Sequence, residues 1–291
     1  MNGANKSKLS LILSMFIFGT IGIFRRYIPL PSSILAMARG AIGVVFLLIF
    51  MAVKKEKLGF REIKDKIVLL CISGVFIGFN WILLFEAYNY TTVATATLCY
   101  YMAPVFVIIA SPFLFKEKLN FKKVICVIVA LAGMVLVSGV IETGFSGVGE
   151  LKGVLLGLGA AVLYATVVLM NKKTAGVPAY TKTVIQLGSA AIVLLPYTLL
   201  TENFAELTFE PLTIIMMLVV GVVHTGWSYA LYFGSMDNLK AQTVAIFSYI
   251  DPVVAIILSA LILNEKMSIF GVIGAVMVLG STMISELPSK K

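Results

Sequence analysis

The chain has 291 residues, of which 60% are hydrophobic and 13% are charged, and its mean hydropathy is +1.02. A soluble domain of this size has about 45–50% apolar and about 25% charged residues, so the composition excludes a soluble enzyme or binding domain. The formal net charge of +9 needs no nucleic acid to explain it, because lysine and arginine are enriched in the short cytoplasmic loops of membrane proteins.

Apolar segments of about 20 residues, the length that spans a hydrocarbon core about 30 Å thick, recur along the whole chain with short loops between them. Because the backbone amides of a lipid-embedded segment must be hydrogen-bonded internally, each segment is predicted to be a helix. The ten predicted spans cover residues 9–28, 33–53, 67–88, 92–115, 121–141, 153–171, 183–200, 212–235, 241–263 and 268–286. The predicted fold class is an all-α membrane protein with ten transmembrane helices.

The second half of the chain repeats the first. Residues 101–118 (YMAPVFVIIASPFLFKEK) align without a gap to residues 249–266 (YIDPVVAIILSALILNEK). Matched pairs include Tyr101/Tyr249, Pro104/Pro252, Ser111/Ser259, Glu117/Glu265 and Lys118/Lys266. Five spans in each half force the halves into opposite orientations, which is typical of transporters. We therefore predict two domains, a first five-helix repeat over residues 1–145 and a second, inverted repeat over residues 146–291.

Lysine and arginine residues are distributed unequally between the two ends of the predicted spans. Most of them fall in the N-terminal segment, in the loop 54–66 and in the other segments on the same side. Since basic loops stay in the cytoplasm, both termini are predicted to be cytoplasmic, with residues 142–150 and 202–210 outside. The predicted location is the bacterial cytoplasmic (plasma) membrane, where the chain contacts the lipid bilayer and no nucleic acid.

An acidic residue lies near the centre of the ninth span. Asp251 directly precedes Pro252, whereas the repeat places Ala103 at the equivalent position of the fourth span. A proline lacks the donor N–H, so Pro104 and Pro252 should each free the carbonyl four residues earlier. Ionisable groups at membrane depth are costly and therefore candidates for function. Asp251 is predicted to bind a cation or a proton; a structural role, hydrogen-bonded to neighbouring amides or hydroxyls, is the alternative.

The single histidine, His224, lies in the eighth span one turn before Trp227. An imidazole takes up or releases a proton near neutral pH, so His224 could form a relay with Asp251; a satisfied structural histidine is the alternative. One histidine and three cysteines scattered in the spans provide no metal-ligand pattern. We expect no metal and no cofactor.

Two further charged residues lie within the spans. Arg39 in the second span and Glu86 in the third belong to the same leaflet, judged by their distance from the span ends. They are predicted to form an ion pair, which is a gate if it breaks during transport and a structural contact if it does not. Alternatively, Arg39 receives a substrate carboxylate. Glu117 and Glu265, at the ends of spans four and nine, are expected to cap the following helix or to contact lysines.

Aromatic residues are frequent at the depths where a substrate would bind. Transporter sites lie near the midplane between repeats, beside broken helices, and Tyr101 and Tyr249 shortly precede the two prolines. The predicted substrate-binding residues are Asp251, His224, Trp81, Trp227, Tyr100, Tyr101, Tyr164 and Tyr249, with helix breaks at Pro104 and Pro252. The residues expected in the interfacial belt are Tyr27, Tyr88 and Tyr90.

Glycines on the predicted spans indicate where helices approach one another closely, because small residues let two backbones come together in a membrane. The glycines concerned are Gly19, Gly22, Gly74, Gly78, Gly153, Gly157, Gly221 and Gly226. Helices that slide past one another during transport also need such faces, so the packing and functional interpretations coincide.

Two halves of five spans, a proline inside spans four and nine and an acidic residue after each (KEK at 116–118, NEK at 264–266) together resemble the EamA-type members of the drug/metabolite transporter superfamily. The resemblance covers essentially the whole chain, residues 9–286. It implies a ten-helix transporter that moves small organic metabolites by alternating access, commonly outward from bacterial cells. The family usually has glycine before the acidic residue, and Lys116 and Asn264 depart from that pattern.

The predicted function is secondary transport of a small-molecule substrate. A single carboxylate surrounded by tyrosines suits a positive group on an apolar body, so export of amino acids or amine-bearing compounds, with proton coupling, is the finer expectation. The alternatives are an intramembrane enzyme and a channel acting on small or lipidic substrates. An enzyme would need a nucleophile with a base, or paired acids, and a channel would need a ring or filter; the sequence offers neither pattern.

Overall fold

The computed structural model describes residues 3–59, 63–115, 121–137, 140–143, 148–174, 176–236, 239 and 247–287. Within these ranges the regular secondary structure is helical. Glu117 and the predicted domain boundary at residues 145 and 146 lie outside the described residues.

Helices of the first half follow the predicted spans. They are α1 (Gly3–Arg26), α2 (Ser32–Lys54), α3 (Ile67–Tyr90), α4 (Val93–Tyr100), α5 (Ala103–Phe115), α6 (Phe121–Val137) and the single turn α7 (Val140–Thr143). The predicted fourth span is broken by a turn at Tyr101 and Met102, between α4 and α5. Pro104 lies in the first turn of α5, where a missing backbone N–H costs least.

Helices of the second half follow in the corresponding order. They are α8 (Val148–Lys173), α9 (Ala179–Thr201), a 3₁₀ turn (Phe204–Glu206), α10 (Pro211–Val219), a π-helix (Val220–Trp227), α11 (Ser228–Met236), α12 (Ile250–Ile262) and α13 (Ile269–Glu286). Val219 and Ser228 at the ends of the π-helix keep helical backbone angles, so α10, the π-helix and α11 form one continuous rod. Asp251 and Pro252 lie in the first turn of α12.

Seven helices of the described chain are long and apolar enough to cross a membrane, judged by length and composition. They are Asn5–Arg26, Ser32–Lys54, Ile67–Tyr90, Val93–Leu114, Gly149–Asn171, Ala179–Thr201 and Pro211–Tyr232. The segments Ile250–Ile262 and Ile269–Ser285 are shorter apolar helices, and α6 has 17 residues. The protein is therefore an all-helical, multi-pass membrane protein.

Contacts between the halves occur in matched pairs. The helix α1 packs on α12 and on the rod formed by the π-helix and α11, and its counterpart α8 packs on α4, α5 and α3. Likewise α2 packs on the π-helix while α9 packs on α3. Two contacts, α2 with α9 and α6 with α13, join helices at equivalent positions of the two halves. This pattern is what a two-fold relation between the repeats would produce.

Close helix approach at the predicted glycines is confirmed. A Cβ atom added at any of the eight would come within 3.0 Å of an atom outside its own helix. At Gly74 it would lie 2.3 Å from the carbonyl oxygen of Gln186 on α9, and at Gly221 it would lie 2.6 Å from the Cβ of Ile42 on α2. Interiors are close-packed, so these faces bring helices of the two halves into close contact, except at Gly22, which meets Val93 of its own half.

Candidate functional site: a cavity between the two halves

A cavity of about 290 Å³ lies between the two halves. Its walls come from α1, α2, α3, α4, α8 and α11 and from the starts of α5 and α12. The sequence-predicted site residues that line it are Arg39, Trp81, Tyr100, Tyr101, Pro104, Tyr164, Tyr249 and Asp251. Small-molecule sites have volumes of about 300–1,000 Å³, so the cavity suits a ligand at the small end of that range.

Asp251 is joined to the opposite half of the chain by a hydroxyl group. The Tyr101 Oη lies 2.8 Å from Asp251 Oδ2 and 3.2 Å from the carbonyl oxygen of Ser248. Ser248 is four residues before Pro252, so its carbonyl is the one that lacks a helical N–H donor. The carbonyl freed by the proline is thus engaged by a side chain from the first half.

The Tyr101 hydroxyl has one hydrogen and two acceptors within reach. When Asp251 is ionised, the hydroxyl donates to the carboxylate. When Asp251 carries a proton, the carboxyl group can donate to Tyr101 Oη, and Tyr101 is free to donate to the Ser248 carbonyl. Tyr101 lies at the break between α4 and α5. Which oxygen atom near the start of α12 accepts its hydroxyl hydrogen therefore depends on whether Asp251 holds a proton.

Tyrosine rings form a continuous wall beside Asp251. Ring centroids are 6.1 Å apart for Tyr100 and Tyr101, 5.3 Å for Tyr100 and Tyr164, and 6.2 Å for Tyr101 and Tyr249. The last pair consists of the two residues that the internal repeat relates, and each precedes a proline. Tyrosine offers an apolar face and one hydroxyl, so this wall can contact both the apolar and the polar parts of a ligand.

Asp251 is held in place from behind by the backbone of α1. A Cβ atom at Gly19 would lie 2.6 Å from the Asp251 carbonyl oxygen and 2.7 Å from the Cβ of Val254. Neither atom can move without moving α12. The position of the carboxylate in the cavity therefore depends on the absence of a side chain at residue 19.

Replacing Gly19 by alanine should push α1 away from α12, because overpacking of this kind costs about 1–3 kcal/mol. We expect a lower melting temperature in detergent and impaired transport. The matched control is Gly188→Ala, since a Cβ atom there would meet nothing within 4 Å, and alanine in a helix is about 1 kcal/mol more favourable than glycine. Equal melting temperatures for the two variants would contradict the close contact.

Arg39, on α2 in the first half, also lines the cavity. Its side chain is buried, and its Nε donates to Thr225 Oγ1 at 3.0 Å. The guanidinium carbon lies 4.1 Å from the ring centroid of Trp81 and 5.4 Å from that of Phe85. Arg39 and Asp251 give the cavity a positive and a negative group.

Arg39 and Glu86 have different partners in this conformation. Glu86 Oε2 accepts hydrogen bonds from Ser32 Oγ at 2.9 Å and from Asn89 Nδ2 at 3.1 Å. Both of these residues also accept from Arg25 Nη2. Glu86 therefore belongs to a polar network where α1 and α3 end and α2 begins, and a gate formed with Arg39 stays a prediction about another conformation.

Within the described residues, an ion pair joins the halves at Glu265, which lies after α12. Arg26 Nη2 donates to Glu265 Oε1 at 2.6 Å, and the backbone N–H of Val93 donates to Oε2 at 2.8 Å. Ser259 Oγ also donates to Oε2. Asn264 makes the turn before Glu265 with a φ of +56°, a left-handed conformation that asparagine adopts more readily than most residues. A tight turn is thus present without the glycine usual at that position.

Two of the predicted residues, His224 and Trp227, do not line the cavity. His224 is buried against α1, with its Nε2 2.8 Å from Thr20 Oγ1 and its ring 4.6 Å from the ring of Phe24. Trp227 is 44% exposed on the outside of the helices. Pro252 is buried in the first turn of α12 and is not part of the lining either. His224 therefore lies outside the cavity that Asp251 lines.

The interfacial assignment of Tyr88 was wrong. Its side chain is 2% exposed, it lines the cavity, and its hydroxyl lies 3.4 Å from Thr97 Oγ1. Tyr27, by contrast, is 50% exposed, and the Tyr90 hydroxyl accepts from Lys152 Nζ. The sequence reasoning also missed Thr225, which orients Arg39 and has no unusual sequence context.

Comparison with known proteins identifies the kind of protein to which this cavity belongs. The sequence pattern of the EamA-like transporter family matches residues 5–139 and, a second time, residues 151–286. The chain belongs to the EamA-like transporter family. Because the pattern matches twice, each half of this EamA-like transporter is one copy of the family's repeat.

Relatives of this EamA-like transporter carry similar names. It is 32% identical over 276 residues to an uncharacterized transporter, YxxF, of Bacillus subtilis (strain 168), with 93% of this chain and 86% of the relative covered. It is 23% identical over 274 residues to the protein RarD of Escherichia coli (strain K12), covering 90% and 88%. The family and these relatives indicate a transporter and not an enzyme.

A solved crystal structure shares the fold of this EamA-like transporter. The two superimpose with a TM-score of 0.67 over 97% of this chain and 96% of the other, at 17% sequence identity. At that identity the likeness concerns the fold alone.

Proposed function

We propose that this protein is a secondary transporter that exports amino acids or other amine-bearing metabolites by alternating access, in exchange for protons. The observation that carries the proposal is Asp251, an acidic side chain in a cavity between two repeats, beside two interrupted spans. A carboxylate in such a place is costly unless its charge is compensated. Either a proton or the ammonium group of a substrate provides the compensation, so binding of one displaces the other into the water of the cavity.

Exchange at Asp251 would be transmitted to the helices through Tyr101. Loss of the proton from Asp251 redirects the Tyr101 hydroxyl from the Ser248 carbonyl to the carboxylate, because that hydroxyl has a single hydrogen. A hydrogen bond at the contact between the two halves therefore changes its acceptor when the proton leaves Asp251. An ammonium group at Asp251 competes for the same oxygen atoms, which links substrate occupancy to the contact between the halves.

Alternating access rests on the arrangement of the repeats. We propose ten transmembrane helices in two inverted five-helix repeats, with α6, α12 and α13 spanning the membrane like the longer helices. Support comes from the double match of the family pattern and from the paired contacts between the halves. Two inverted halves can rock about a central site so that it opens to one side at a time.

Transport in lipid vesicles tests the function. Purified protein should take up radiolabelled amino acids or small amines in a saturable manner, too slowly for a pore, and Asp251→Asn should lose most of this uptake. Uptake that is unsaturable, or that is equal in both proteins, would refute the proposal.

We further propose that the protein resides in the bacterial plasma membrane with both termini in the cytoplasm, because the basic residues concentrate on that side. In a background without native cysteines, Lys57→Cys should be labelled by an impermeant maleimide only after the cells are lysed, whereas Glu206→Cys should be labelled in intact cells. Both positions are exposed, so accessibility is matched. Labelling of Lys57→Cys in intact cells would overturn this topology.

A further inference from the structure

A groove of about 350 Å³ lies between α3 of the first half and α8 of the second, two helices that pack on each other. It shares no lining residue with the cavity described above. Its lining consists of four leucines and one lysine, namely Leu83, Leu151, Lys152, Leu155 and Leu156. Leu155 is 60% exposed, so the groove opens on the outer surface of the helices, which faces the bilayer in a multi-pass membrane protein.

The groove runs from the membrane surface towards the middle of the bilayer. Tyr90 ends one candidate membrane span, and Lys152 lies close to the start of another, so both residues are at the polar interface. Leu83 is two helical turns before Tyr90, which places it about 10 Å deeper. A Cβ atom at Gly159 on α8 would lie 3.3 Å from Leu83 Cδ1. The two helices therefore close on each other at that depth, and the groove ends inside the hydrocarbon layer.

The ammonium group at the mouth of the groove is held by an aromatic side chain. Lys152 Nζ donates to Tyr90 Oη at 2.7 Å and lies 3.9 Å from the centroid of the same ring. Within the described part of the chain, no carboxylate forms an ion pair with Lys152, and Glu150, two residues earlier, is on a different face of α8. An ammonium group has three donor hydrogens. The mouth of the groove therefore presents a positioned positive charge to an anionic group.

A phospholipid with a net negative charge has both features that this groove selects. Basic side chains at a membrane surface attract anionic headgroups, and lysine binds phosphate as a point charge. An acyl chain that extends from that headgroup into the hydrocarbon layer passes along the leucines. A zwitterionic lipid carries its own cation beside the phosphate, so it gains less from the lysine. A small water-soluble anion would leave the leucines without a contact.

We propose that the groove between α3 and α8 is a binding site for an anionic phospholipid, with the phosphate on Lys152 Nζ and an acyl chain along the four leucines. The site does not depend on which substrate the protein carries. Because α3 and α8 belong to different halves, a lipid that contacts both stabilises the arrangement in which the two helices are paired.

Lipid titrations followed by native mass spectrometry of the purified full-length protein test the inference. Phosphatidylglycerol is compared with phosphatidylcholine that has the same acyl chains. The wild type should bind phosphatidylglycerol about fivefold more tightly, the factor that one basic residue near the membrane surface contributes. Lys152→Ala should bind the two lipids equally.

The matched control is Lys173→Ala. Lys173 is an exposed lysine at the other end of the same helix, so this variant loses the same charge and should keep the fivefold preference. Tyr90→Phe removes the hydroxyl that positions the ammonium group and should reduce the preference without abolishing it. Since a bound lipid stabilises the folded protein by mass action, phosphatidylglycerol should raise the melting temperature of Lys173→Ala more than that of Lys152→Ala.

The length of the acyl chain tests the apolar part of the site. Dioleoyl phosphatidylglycerol should bind the wild type more tightly than the dihexanoyl form, because a longer chain buries more apolar surface. Glycerol phosphate, which has no acyl chain, should not displace either lipid.

Three results would each overturn the inference. Equal affinity of the wild type for phosphatidylglycerol and phosphatidylcholine would show that the groove has no headgroup preference. An equal loss of preference in Lys152→Ala and Lys173→Ala would show a general attraction to a basic protein. Displacement of the lipid by glycerol phosphate would show a phosphate site without a role for the leucines. None of these results bears on transport at Asp251, so the proposed function is tested separately.

Discussion

Replacing Asp251 by asparagine should abolish the pH dependence of transport and weaken the binding of amine-bearing ligands roughly 10- to 100-fold. An ion pair with a buried carboxylate contributes about 1.5–3 kcal/mol, which corresponds to that range. The other cavity-lining groups that titrate are tyrosines and Arg39, which do not change charge between about pH 5 and pH 8. Transport in lipid vesicles over that range of pH is the measurement.

Two further variants of this site give graded results. Asp251→Glu keeps the carboxylate and should retain part of both the binding and the pH dependence. Tyr101→Phe removes the hydroxyl between Asp251 and Ser248, so it should leave ligand binding largely intact while slowing transport. If Asp251→Asn transports normally with an unchanged pH profile, Asp251 is structural. The coupling must then involve His224, or the protein is a uniporter.

Glu265→Ala is expected to have the largest effect on stability. It removes a carboxylate that is 14% exposed and that accepts from Arg26, from the N–H of Val93 and from Ser259. Hydrogen bonds to a charged group contribute about 1.5–3 kcal/mol, and the partial exposure of Arg26 makes the low end of the range appropriate. The melting temperature in detergent should fall by about 5 °C.

A double-mutant cycle isolates the ion pair from the other two bonds. Arg26→Ala should cost less than Glu265→Ala, and the double variant should cost less than the sum of the two. Glu210→Ala is the control, since Glu210 is exposed and makes no capping bond with its side chain. Strict additivity of Arg26→Ala and Glu265→Ala would show that the pair does not stabilise the contact between the halves.

Residues with a fixed chemical role could be located from the sequence alone. Pro104 and Pro252 revealed both the repeat and the places where the spans are interrupted, because a missing N–H has the same consequence in any membrane helix. Asp251 was recognisable because an acidic residue at that depth is rare. The glycines of the helix contacts were recognisable for a similar reason, since only a missing side chain allows such an approach.

The side of each helix that faces the cavity could not be predicted from the sequence. In a bilayer the lipid-facing and the inward-facing sides of a helix are both apolar, so no amphipathic stripe marks the inner face. The depth of Tyr88 therefore suggested the membrane interface, although in the structure its side chain points towards the cavity. His224 and Trp227 lie in a π-helix, whose wider turn changes the side that each residue faces, and no sequence pattern predicts that turn.

The equivalence of α2 and α9 has an evolutionary consequence. Both helices follow a proline at the N-cap, Pro31 and Pro178, and have the same length. The helix that carries Arg39 in one half thus has a counterpart without arginine in the other, just as the repeat matches Asp251 with Ala103. In an ancestral assembly of two identical short chains, every residue of the site would occur twice, and a cavity with a single cation and a single anion could not arise. Joining the copies in one gene allows each to mutate alone, so a cavity whose two sides differ becomes possible only after fusion.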